Sequence, residues 1–125
     1  MDSEAILKAI SESTRFRILY LLLKTKKDIC GCELVDSLRL PQYNLTKHLD
    51  ILMQASLVKS RKESRWVYYF LNHNTSEFAK SLYKAILKAD AQNHKEDLKR
   101  FHSRLSIRKN GKCLLGIQTA KLNQS

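Results

Sequence analysis

The sequence predicts a mainly α-helical domain that carries a single β-hairpin. Apolar residues recur at helical spacing through most of residues 1–105. The exception is a pair of β-prone runs, 57–61 and 66–71, which a short charged segment joins. With 125 residues, the chain is long enough for one compact domain with a modest core. The helical pattern stops near position 106, so we expect residues 106–125 to form a partly disordered C-terminal tail.

Two short helices are expected at the N-terminal end of the domain. The first lies near residues 5–10, where Asp2 or Ser3 can serve as its cap. The second covers residues 14–24, and Ser13 is its expected cap. Because this second helix is so rich in Ile and Leu, we expect it to be buried on most of its circumference.

The next two helices are expected to form a helix-turn-helix. A short helix begins near Gly31, and Pro41 fits the first turn of the helix that follows. That following helix has an apolar stripe formed by Leu45, Leu49 and Leu52. Polar side chains crowd its first turns, where a recognition helix meets base edges. The candidate DNA contacts on it are Gln42, Tyr43, Asn44, Thr46, Lys47 and, nearer the apolar edge, His48.

Because the hairpin directly follows a helix-turn-helix, it is expected to form a wing. The architecture that the sequence predicts is therefore a winged helix-turn-helix. Arg61, Lys62 and Arg65 lie at or near the tip of the hairpin, where they are placed to contact phosphate.

A single long helix, residues 75–104, is expected after the wing. Asn74 and Glu77 resemble a capping pair at its start. The sequence offers no further element to cover the apolar stripe of this helix, so we expect a second subunit to cover it. The candidate dimer contacts are Ile6, Phe78, Leu82, Ala85 and Ile86.

The charge balance favours a nucleic-acid partner. The chain carries 23 Lys and Arg against 12 Asp and Glu, a formal net charge of +11. Its longest apolar run, residues 18–23, is far too short to cross a bilayer, and the acidic residues 1–4 do not start a signal peptide. We therefore expect a cytoplasmic protein whose three cysteines are kept reduced.

Several segments, taken in order, resemble the ArsR/SmtB family of small metal-responsive winged-helix repressors. Residues 10–19 look like the family's signature over its first two helices, and residues 45–49 with 56–58 look like its recognition helix and strand entry. Residues 61–69 look like its wing, although Ser64 stands where the family usually has glycine. The resemblance implies a homodimer that binds an imperfect palindrome of double-stranded DNA and loses DNA affinity when a ligand binds.

Cys30-Gly31-Cys32-Glu33-Leu34 resembles the signature of the family's arsenic-sensing members. Trivalent arsenic and antimony are thiophilic, so As(III) or Sb(III) is the expected effector, and no cofactor is expected to be needed for folding. Residues i and i+2 point apart in a regular helix, so one ion can bridge both thiols only if the first turn unwinds or starts after Cys30. This conflict suggests that metalloid binding distorts the helix and thereby displaces the recognition helix.

The third ligand is less defined by the sequence. Where related members have a third clustered cysteine, this chain has Val35. The third sulfur can come from Cys113 of the same or the other subunit, from a small-molecule thiol, or be missing altogether.

Four other interpretations remain open at the level of sequence. A zinc-type sensor would use His94, Asp97 and His102 on the last helix, and a redox sensor would form a disulfide among the cysteines. A repressor without any ligand would need neither site. A thiol-disulfide oxidoreductase using Cys30 and Cys32 would need a βαβ unit, which the sequence does not predict, so we do not expect an enzyme.

Overall fold

The fold is known from a computed structural model, which describes residues 2–89 and 91–119. It confirms the predicted class: helices with one small antiparallel sheet, arranged as a winged helix-turn-helix. The elements in chain order are α1 (Ser3–Ser11), α2 (Ser13–Thr25), β1 (Ile29–Cys30), α3 (Gly31–Leu38), α4 (Gln42–Gln54), β2 (Val58–Glu63), β3 (Trp66–Leu71), α5 (Glu77–Leu87), a 3-10 turn (Ala91–His94) and α6 (Lys95–Leu105). Within the described ranges, no helix combines the length and apolarity needed to cross a bilayer.

The first two helices lie where the sequence predicts them, but one cap differs. A carboxylate oxygen of Asp2 accepts a hydrogen bond from the backbone N–H of Glu4 at 3.0 Å, which caps α1 as expected. Ser13 is not the cap of α2, because it is already the first helical residue. Glu12 has the extended backbone of a cap, and its carboxylate accepts from the N–H of Arg15 at 3.0 Å.

The helix-turn-helix pairs α3 with α4 across a short turn. Arg39 ends α3 in a left-handed conformation, with φ of +55°, and Pro41 immediately precedes α4. The apolar stripe of α4 is buried in the core, as its spacing predicts; its residues are Leu45, Leu49 and Leu52. The opposite side of α4 faces solvent.

The sheet has the order β1-β3-β2, and both pairings are antiparallel. The hairpin of β2 and β3 is the predicted wing, whose turn contains Ser64 at a φ of +58°. Glycine adopts this conformation most easily. This accounts for the glycine that the family resembled by the sequence usually has at the position of Ser64. β1 was not predicted, since two residues show no strand period. Its pairing places Cys30 opposite Tyr68.

The single long helix predicted for residues 75–104 is wrong, because two helices and a 3-10 turn occupy this region. The turn brings His94 into the core, where its ring stacks on Tyr20 with centroids 4.0 Å apart. α6 follows this turn and packs on α3. The capping pair predicted at Asn74 and Glu77 is also wrong, since Ser76 caps α5 by accepting from the N–H of Ala79 at 3.2 Å.

Residues 106–119 of the predicted tail fold back over α3. Cys113 is buried, and the backbone N–H groups of Gln118 and Thr119 donate to the carboxylate of Asp36 at 2.9–3.0 Å. The rest of the predicted tail, residues 120–125, lies outside the described residues. This returning segment, 106–119, is hereafter called the tail segment.

Candidate functional site

The three thiols of the chain come together in one cluster. The Sγ atom of Cys32 lies 3.1 Å from that of Cys30 and 3.2 Å from that of Cys113. All three sulfur atoms lie within 4.8 Å of one another, although 81 residues separate Cys32 from Cys113. Cys30 and Cys113 are buried, and Cys32 is half-buried. We call these residues the thiol cluster.

The start of α3 sets the positions of the first two thiols. Cys30 ends β1 and precedes the helix with an extended backbone, with φ of −66° and ψ of 146°. Its N–H donates to a carboxylate oxygen of Glu33 at 2.9 Å, which fixes the first turn. Of the two ways for the thiols to meet, the structure has the helix start after Cys30. The first turn therefore need not unwind, and the predicted distortion of α3 loses its geometric reason.

Contacts with the wing and α3 hold the third thiol in place. The N–H of Cys113 donates to the hydroxyl of buried Tyr68 at 2.9 Å. A tight turn just before it, with Gly111 at a φ of +73°, brings the tail segment back toward the sheet. Arg108, before that turn, donates to both carboxylate oxygens of the fully buried Glu33 at 2.7 Å.

A second buried ion pair lies beside the thiols. One terminal nitrogen of Arg104 lies 3.3 Å from the Sγ of Cys32 and donates to the carbonyl of Leu115 at 2.9 Å. The Nε of Arg104 lies 3.0 Å from a carboxylate oxygen of Asp36, in an ion pair whose angle falls outside hydrogen-bond geometry. The same carboxylate receives the N–H of Gln118, so this pair joins α6, α3 and the tail segment.

Sequence reasoning missed several of these supporting residues. No spacing rule connects Asp36 with Arg104, or Tyr68 with Cys113, because their contacts arise only in the fold. Among these supporting residues, only Glu33 belongs to a pattern visible in the sequence, as the acidic residue of the Cys-Gly-Cys-Glu-Leu signature.

Hydrogen bonding divides the thiol cluster into one acidic thiol and two weakly acidic ones. The hydrogen bond from the Cys32 thiol, helped by the N–H of Cys32, lowers the pKa of Cys30 to about 6 against the opposing effect of burial. Donating that hydrogen bond, together with burial, raises the pKa of Cys32. Burial also raises the pKa of Cys113. At neutral pH, Cys30 is therefore a thiolate, the form that binds soft ions.

The candidate base-reading residues lie mostly on the solvent side of α4. Gln42, Thr46 and Lys47 are exposed, and Tyr43 is 76% exposed. The remaining two candidates are less accessible: Asn44 and His48 are half-buried. His48 turns toward α2, where its Nδ1 lies 3.1 Å from Arg15 and 3.5 Å from Glu12.

The three basic residues of the wing differ in their surroundings. Lys62 and Arg65 are exposed near the hairpin turn, and the guanidinium of Arg65 lies 4.4 Å from the ring centroid of Trp66. Arg61 lies further from the tip and pairs with the carboxylate of Asp28. It also lies over the ring of Tyr68, at 4.9 Å from the centroid, so it is tied to the sheet.

The candidate dimer contacts fall into two groups. Ile6 is 1% exposed and Ile86 is 4% exposed, so both belong to the core of the single chain. Phe78 is 37% exposed, Ala85 is exposed and Leu82 is half-buried. Leu7 and Leu87, which were not among the candidates, are exposed apolar residues on α1 and α5.

The residues of the zinc alternative do not gather into a site. His94 stacks on Tyr20 in the core, and Asp97 pairs with Arg17 and Arg100 at 2.8 Å each. His102 lies on the exposed side of α6. Within residues 2–89 and 91–119, the thiol cluster is the one group of three side chains placed to share a metal ion.

The fold, the exposed polar side of α4 and the basic wing define a winged-helix DNA-binding protein. Residues 12–60 match the family model described as a bacterial regulatory protein of the arsR family. An uncharacterised HTH-type transcriptional regulator of Methanocaldococcus jannaschii is 41% identical over 66 residues, covering 53% of this chain and 73% of that protein. The arsenic resistance regulator ArsR2 of Pseudomonas putida is 30% identical over 87 residues, covering 70% of this chain and 75% of the relative.

Solved structures of similar fold are also those of transcription regulators. HlyU from Vibrio cholerae superposes with a TM-score of 0.62 at 31% identity, covering 71% of this chain and 91% of HlyU. Its reduced form gives a TM-score of 0.60 at 32% identity, covering 68% and 84% of the two chains. The adhesin competence repressor of Streptococcus pyogenes, at 22% identity and a TM-score of 0.50 over 79% of this chain and 67% of the repressor, shares the fold alone.

The chain belongs to the ArsR family and is a winged-helix, DNA-binding transcriptional repressor. Its relatives and structural neighbours are transcription regulators and not enzymes. This excludes the oxidoreductase alternative, and the antiparallel sheet agrees, since no parallel strand pair precedes the thiols in the described part of the chain.

Proposed function

We propose that this repressor releases its DNA operator when arsenite or antimonite binds to Cys30, Cys32 and Cys113. The observation that carries the proposal is the thiol cluster itself, in which all three thiols of the chain meet within 4.8 Å. Soft thiolates are the preferred ligands of soft ions. The names of several relatives, such as the arsenic resistance regulator of Pseudomonas putida, support the same effector.

The charges around the cluster favour a trivalent ion. Three thiolates and a trivalent ion form a neutral complex, whereas a divalent ion leaves a net charge of −1. Arg104, whose guanidinium contacts the Cys32 sulfur, is already paired with Asp36. Arg108 of the tail segment is paired with Glu33. A buried negative complex would need a positive partner, so the site suits As(III) or Sb(III) better than zinc or cadmium.

The binding of arsenite is a ligand exchange in which sulfur replaces oxygen on arsenic. Arsenous acid, As(OH)₃, and three thiols give one trithiolate complex and three water molecules, with no oxidation or reduction. Cys30 starts the exchange, because its lowered pKa makes it the thiolate at neutral pH. The thiols must remain reduced, which agrees with the cytoplasmic location expected from the sequence.

Two connections lead from the thiol cluster to the DNA-binding elements. α3 carries Cys32 at its first turn and is joined to α4 by only three residues, 39–41. The tail segment carries Cys113, and its neighbour Lys112 donates to the carboxylate of Glu63 in the wing at 2.6 Å. When the sulfurs close around an ion, α3 and the tail segment shift together, which moves the recognition helix and the wing relative to each other.

The DNA target follows from the expected dimer. Two copies of α4 related by a twofold axis would read half-sites about one DNA turn apart, in an imperfect palindrome. Gln42, Tyr43, Asn44, Thr46 and Lys47 would then face base edges, while Lys62 and Arg65 would face phosphates.

A direct test follows DNA release by fluorescence anisotropy, using a duplex that the protein selects from a random library. Arsenite should release the wild-type protein, whereas Cys30→Ser and Cys32→Ser should bind DNA normally and stay bound. Zinc and cadmium at the same concentrations should release much less DNA. If both variants release DNA at the wild-type arsenite concentration, the effector site lies elsewhere.

Thiol oxidation is a second candidate signal for the same cluster. The Sγ atoms of Cys32 and Cys113 lie 3.2 Å apart, so a disulfide needs only a small approach. Two thiols and one hydrogen peroxide would give one disulfide and two water molecules. Peroxide added without metalloid should then release DNA from wild type but not from Cys32→Ser, because Cys32 belongs to both close pairs, at 3.1 Å from Cys30 and 3.2 Å from Cys113. Unchanged DNA binding by the oxidised wild type would rule this signal out.

A further inference from the structure

A basic turn of the tail segment lies against the wing. Residues 108–112 read Arg-Lys-Asn-Gly-Lys, with three basic residues and no acidic one. Lys109 and Lys112 pair as a short antiparallel bridge, and the backbone N–H of each donates to the carbonyl of the other, at 2.9 and 3.0 Å. Asn110 and Gly111 between them have φ of +55° and +73°, as a tight type I′ hairpin turn requires. We call residues 109–112 the basic turn.

One ion pair and one hydrogen bond hold the basic turn to the wing. The Nζ of Lys112 donates to a carboxylate oxygen of Glu63, the last residue of β2, at 2.6 Å. The backbone N–H of Cys113, the next residue along the chain, donates to the hydroxyl of Tyr68 on β3 at 2.9 Å. The basic turn is therefore tied to both strands of the hairpin.

The basic turn lies on the face of the wing that points away from the recognition helix. Side chains alternate between the two faces of a strand, and Val67 and Tyr69 of β3 line a cavity together with Leu45 of α4. Tyr68 therefore belongs to the opposite face, and it is the residue that contacts the tail segment. The recognition helix and the basic turn thus lie on the two sides of the hairpin.

The basic turn offers exposed positive charge to a partner. All four of its residues are exposed, and the side chain of Lys109 has no hydrogen bond or ion pair with another described residue. Residues 98–119 carry six Lys and Arg and no Asp or Glu, so the tail segment has no acidic side chain that could neutralise this charge. The nearby carboxylate of Glu63, which would repel phosphate, is paired with both Lys112 and Arg61.

We propose that the basic turn is a second wing, which binds the DNA backbone outside the half-site that α4 and the β2–β3 hairpin read. DNA that passes the first turns of α4 and the tip of the wing continues along the outer face of the wing, where the basic turn lies. In this proposal, Lys109 binds a flanking phosphate, and Lys112 adds a second contact while it neutralises Glu63. Contacts to phosphate carry no base specificity, so they lengthen the bound site without changing the sequence that is read. The inference rests on the placement on DNA proposed above.

Duplexes of two lengths separate the basic turn from the other DNA contacts. The short duplex ends at the outermost bases that selection specifies, and the long duplex adds about ten base pairs of random sequence, one turn of DNA, at each end. The test variant, Lys109→Gln with Lys112→Gln, removes two charges and leaves the turn residues between them unchanged. Lys84→Gln with Lys99→Gln, at exposed positions of α5 and α6, is the control that removes the same charge. Lys109→Arg with Lys112→Arg keeps the charge of the turn.

Fluorescence anisotropy over a range of salt concentrations should show that wild type binds the long duplex about tenfold more tightly than the short one at low salt. The slope of log affinity against log salt should be steeper on the long duplex by about 1 for each flanking phosphate contact. The glutamine variant should bind both duplexes equally, whereas the control and the arginine variant should keep the preference of wild type. Hydroxyl-radical footprinting should find protection of the flanks by wild type that the glutamine variant lacks.

Three results would contradict the proposal. Wild type could bind the two duplexes equally, the glutamine variant could keep the full preference for the long duplex, or this variant could lose the same factor on both, which would place the lysines inside the half-site. In each case the short duplex still binds, so only the second wing is wrong. If wild type fails to bind the short duplex specifically, the proposed placement on DNA itself fails. The titrations contain no metalloid, so their outcome is independent of the proposed effector.

Discussion

Cys32 lies between the other two thiols, and its hydrogen bond to Cys30 lowers the pKa of Cys30. One proton is kept on Cys32 while Cys30 carries the negative charge, so an incoming electrophilic ion meets a preformed thiolate. Buried charge normally costs stability, and here short hydrogen bonds offset that cost. The chemistry of the site is therefore set by which of three similar side chains donates and which accepts.

The first prediction concerns the acidity of Cys30. Thiolate ultraviolet absorbance should show one of three thiols titrating with a pKa of about 6, and Cys30→Ser should remove that step. Because the pKa lies below its usual value of 9.0, the unfolded chain binds more protons between about pH 6 and 9. The stability that Cys30 contributes should grow over this range as pH rises and be lost as pH falls through about 6. A single transition near pH 9 for all three thiols would contradict this prediction.

The second prediction concerns the buried ion pair of Asp36 and Arg104. Asp36→Ala leaves the Arg104 guanidinium buried without its carboxylate and frees the N–H groups of Gln118 and Thr119. We expect the free energy of unfolding to fall by about 3 kcal/mol in chemical denaturation. Asp50→Ala, at an exposed position of α4, should change it by less than about 0.5 kcal/mol. Equal effects of the two substitutions would show that Asp36 does not anchor the tail segment.

At the scale of elements, α3 is held at both ends. Its first turn carries the thiol cluster and the Glu33–Arg108 pair. At its last turn, Arg17 donates to the carbonyl of Leu38 and Arg100 to that of Ser37, each at 2.7 Å. In the proposed mechanism, a short helix fixed in this way would move as one body, so a shift at the thiols would be passed on to α4.

The third prediction concerns the wing. Replacing both Lys62 and Arg65 by Ala should weaken binding to all DNA sequences and reduce the slope of log affinity against log salt by about 1 for each lost phosphate contact. Arg61→Ala should have a smaller effect, because Asp28 and the sheet already engage this side chain. Lys84→Ala, at an exposed position on α5, is the matched control. An unchanged salt slope in the double variant would mean that the wing does not contact DNA.

The elements show how much the sequence could predict. The periodic helices, the hairpin and the exposed polar side of α4 follow from local patterns. The break after α5 does not, because residues 88–96 contain neither Gly nor Pro and the break is stabilised by tertiary contacts such as His94 on Tyr20. Leu98, Phe101 and Leu105 continue the apolar pattern in a different helical register from Phe78, Leu82 and Ile86, and this change of register is the signal that the sequence offers. The approach of Cys113 to Cys32 depends on the whole path of the chain and had no local signal.

At the scale of the molecule, a net charge of +11 favours an anionic partner, and membership of a DNA-binding family indicates that this partner is DNA. The exposed apolar side chains of α1 and α5, among them Leu7, Phe78 and Leu87, are consistent with the dimer expected for a palindromic operator. Within one chain, the core already buries Ile6 and Ile86, so the expected interface is formed by their exposed neighbours.

The fourth prediction concerns this interface. Leu7→Glu combined with Phe78→Glu should convert the dimer to a monomer in sedimentation velocity, because the charges would be buried without partners. Affinity for a palindromic duplex should fall far more than affinity for a single half-site. Leu114→Glu, at an exposed apolar position of the tail segment, should leave the dimer intact. A doubly substituted protein that remains dimeric would place the interface elsewhere.

The number of sulfur atoms around bound arsenic tests the central claim most directly. X-ray absorption spectroscopy of the arsenite complex should find three sulfur ligands in the wild-type protein and two in Cys113→Ser, with the missing position taken by oxygen. This result would place the thiol of the tail segment in the effector site, as the 3.2 Å approach to Cys32 indicates. Three sulfurs in both proteins, or two in both, would contradict the account, because Cys113 would then not be a ligand.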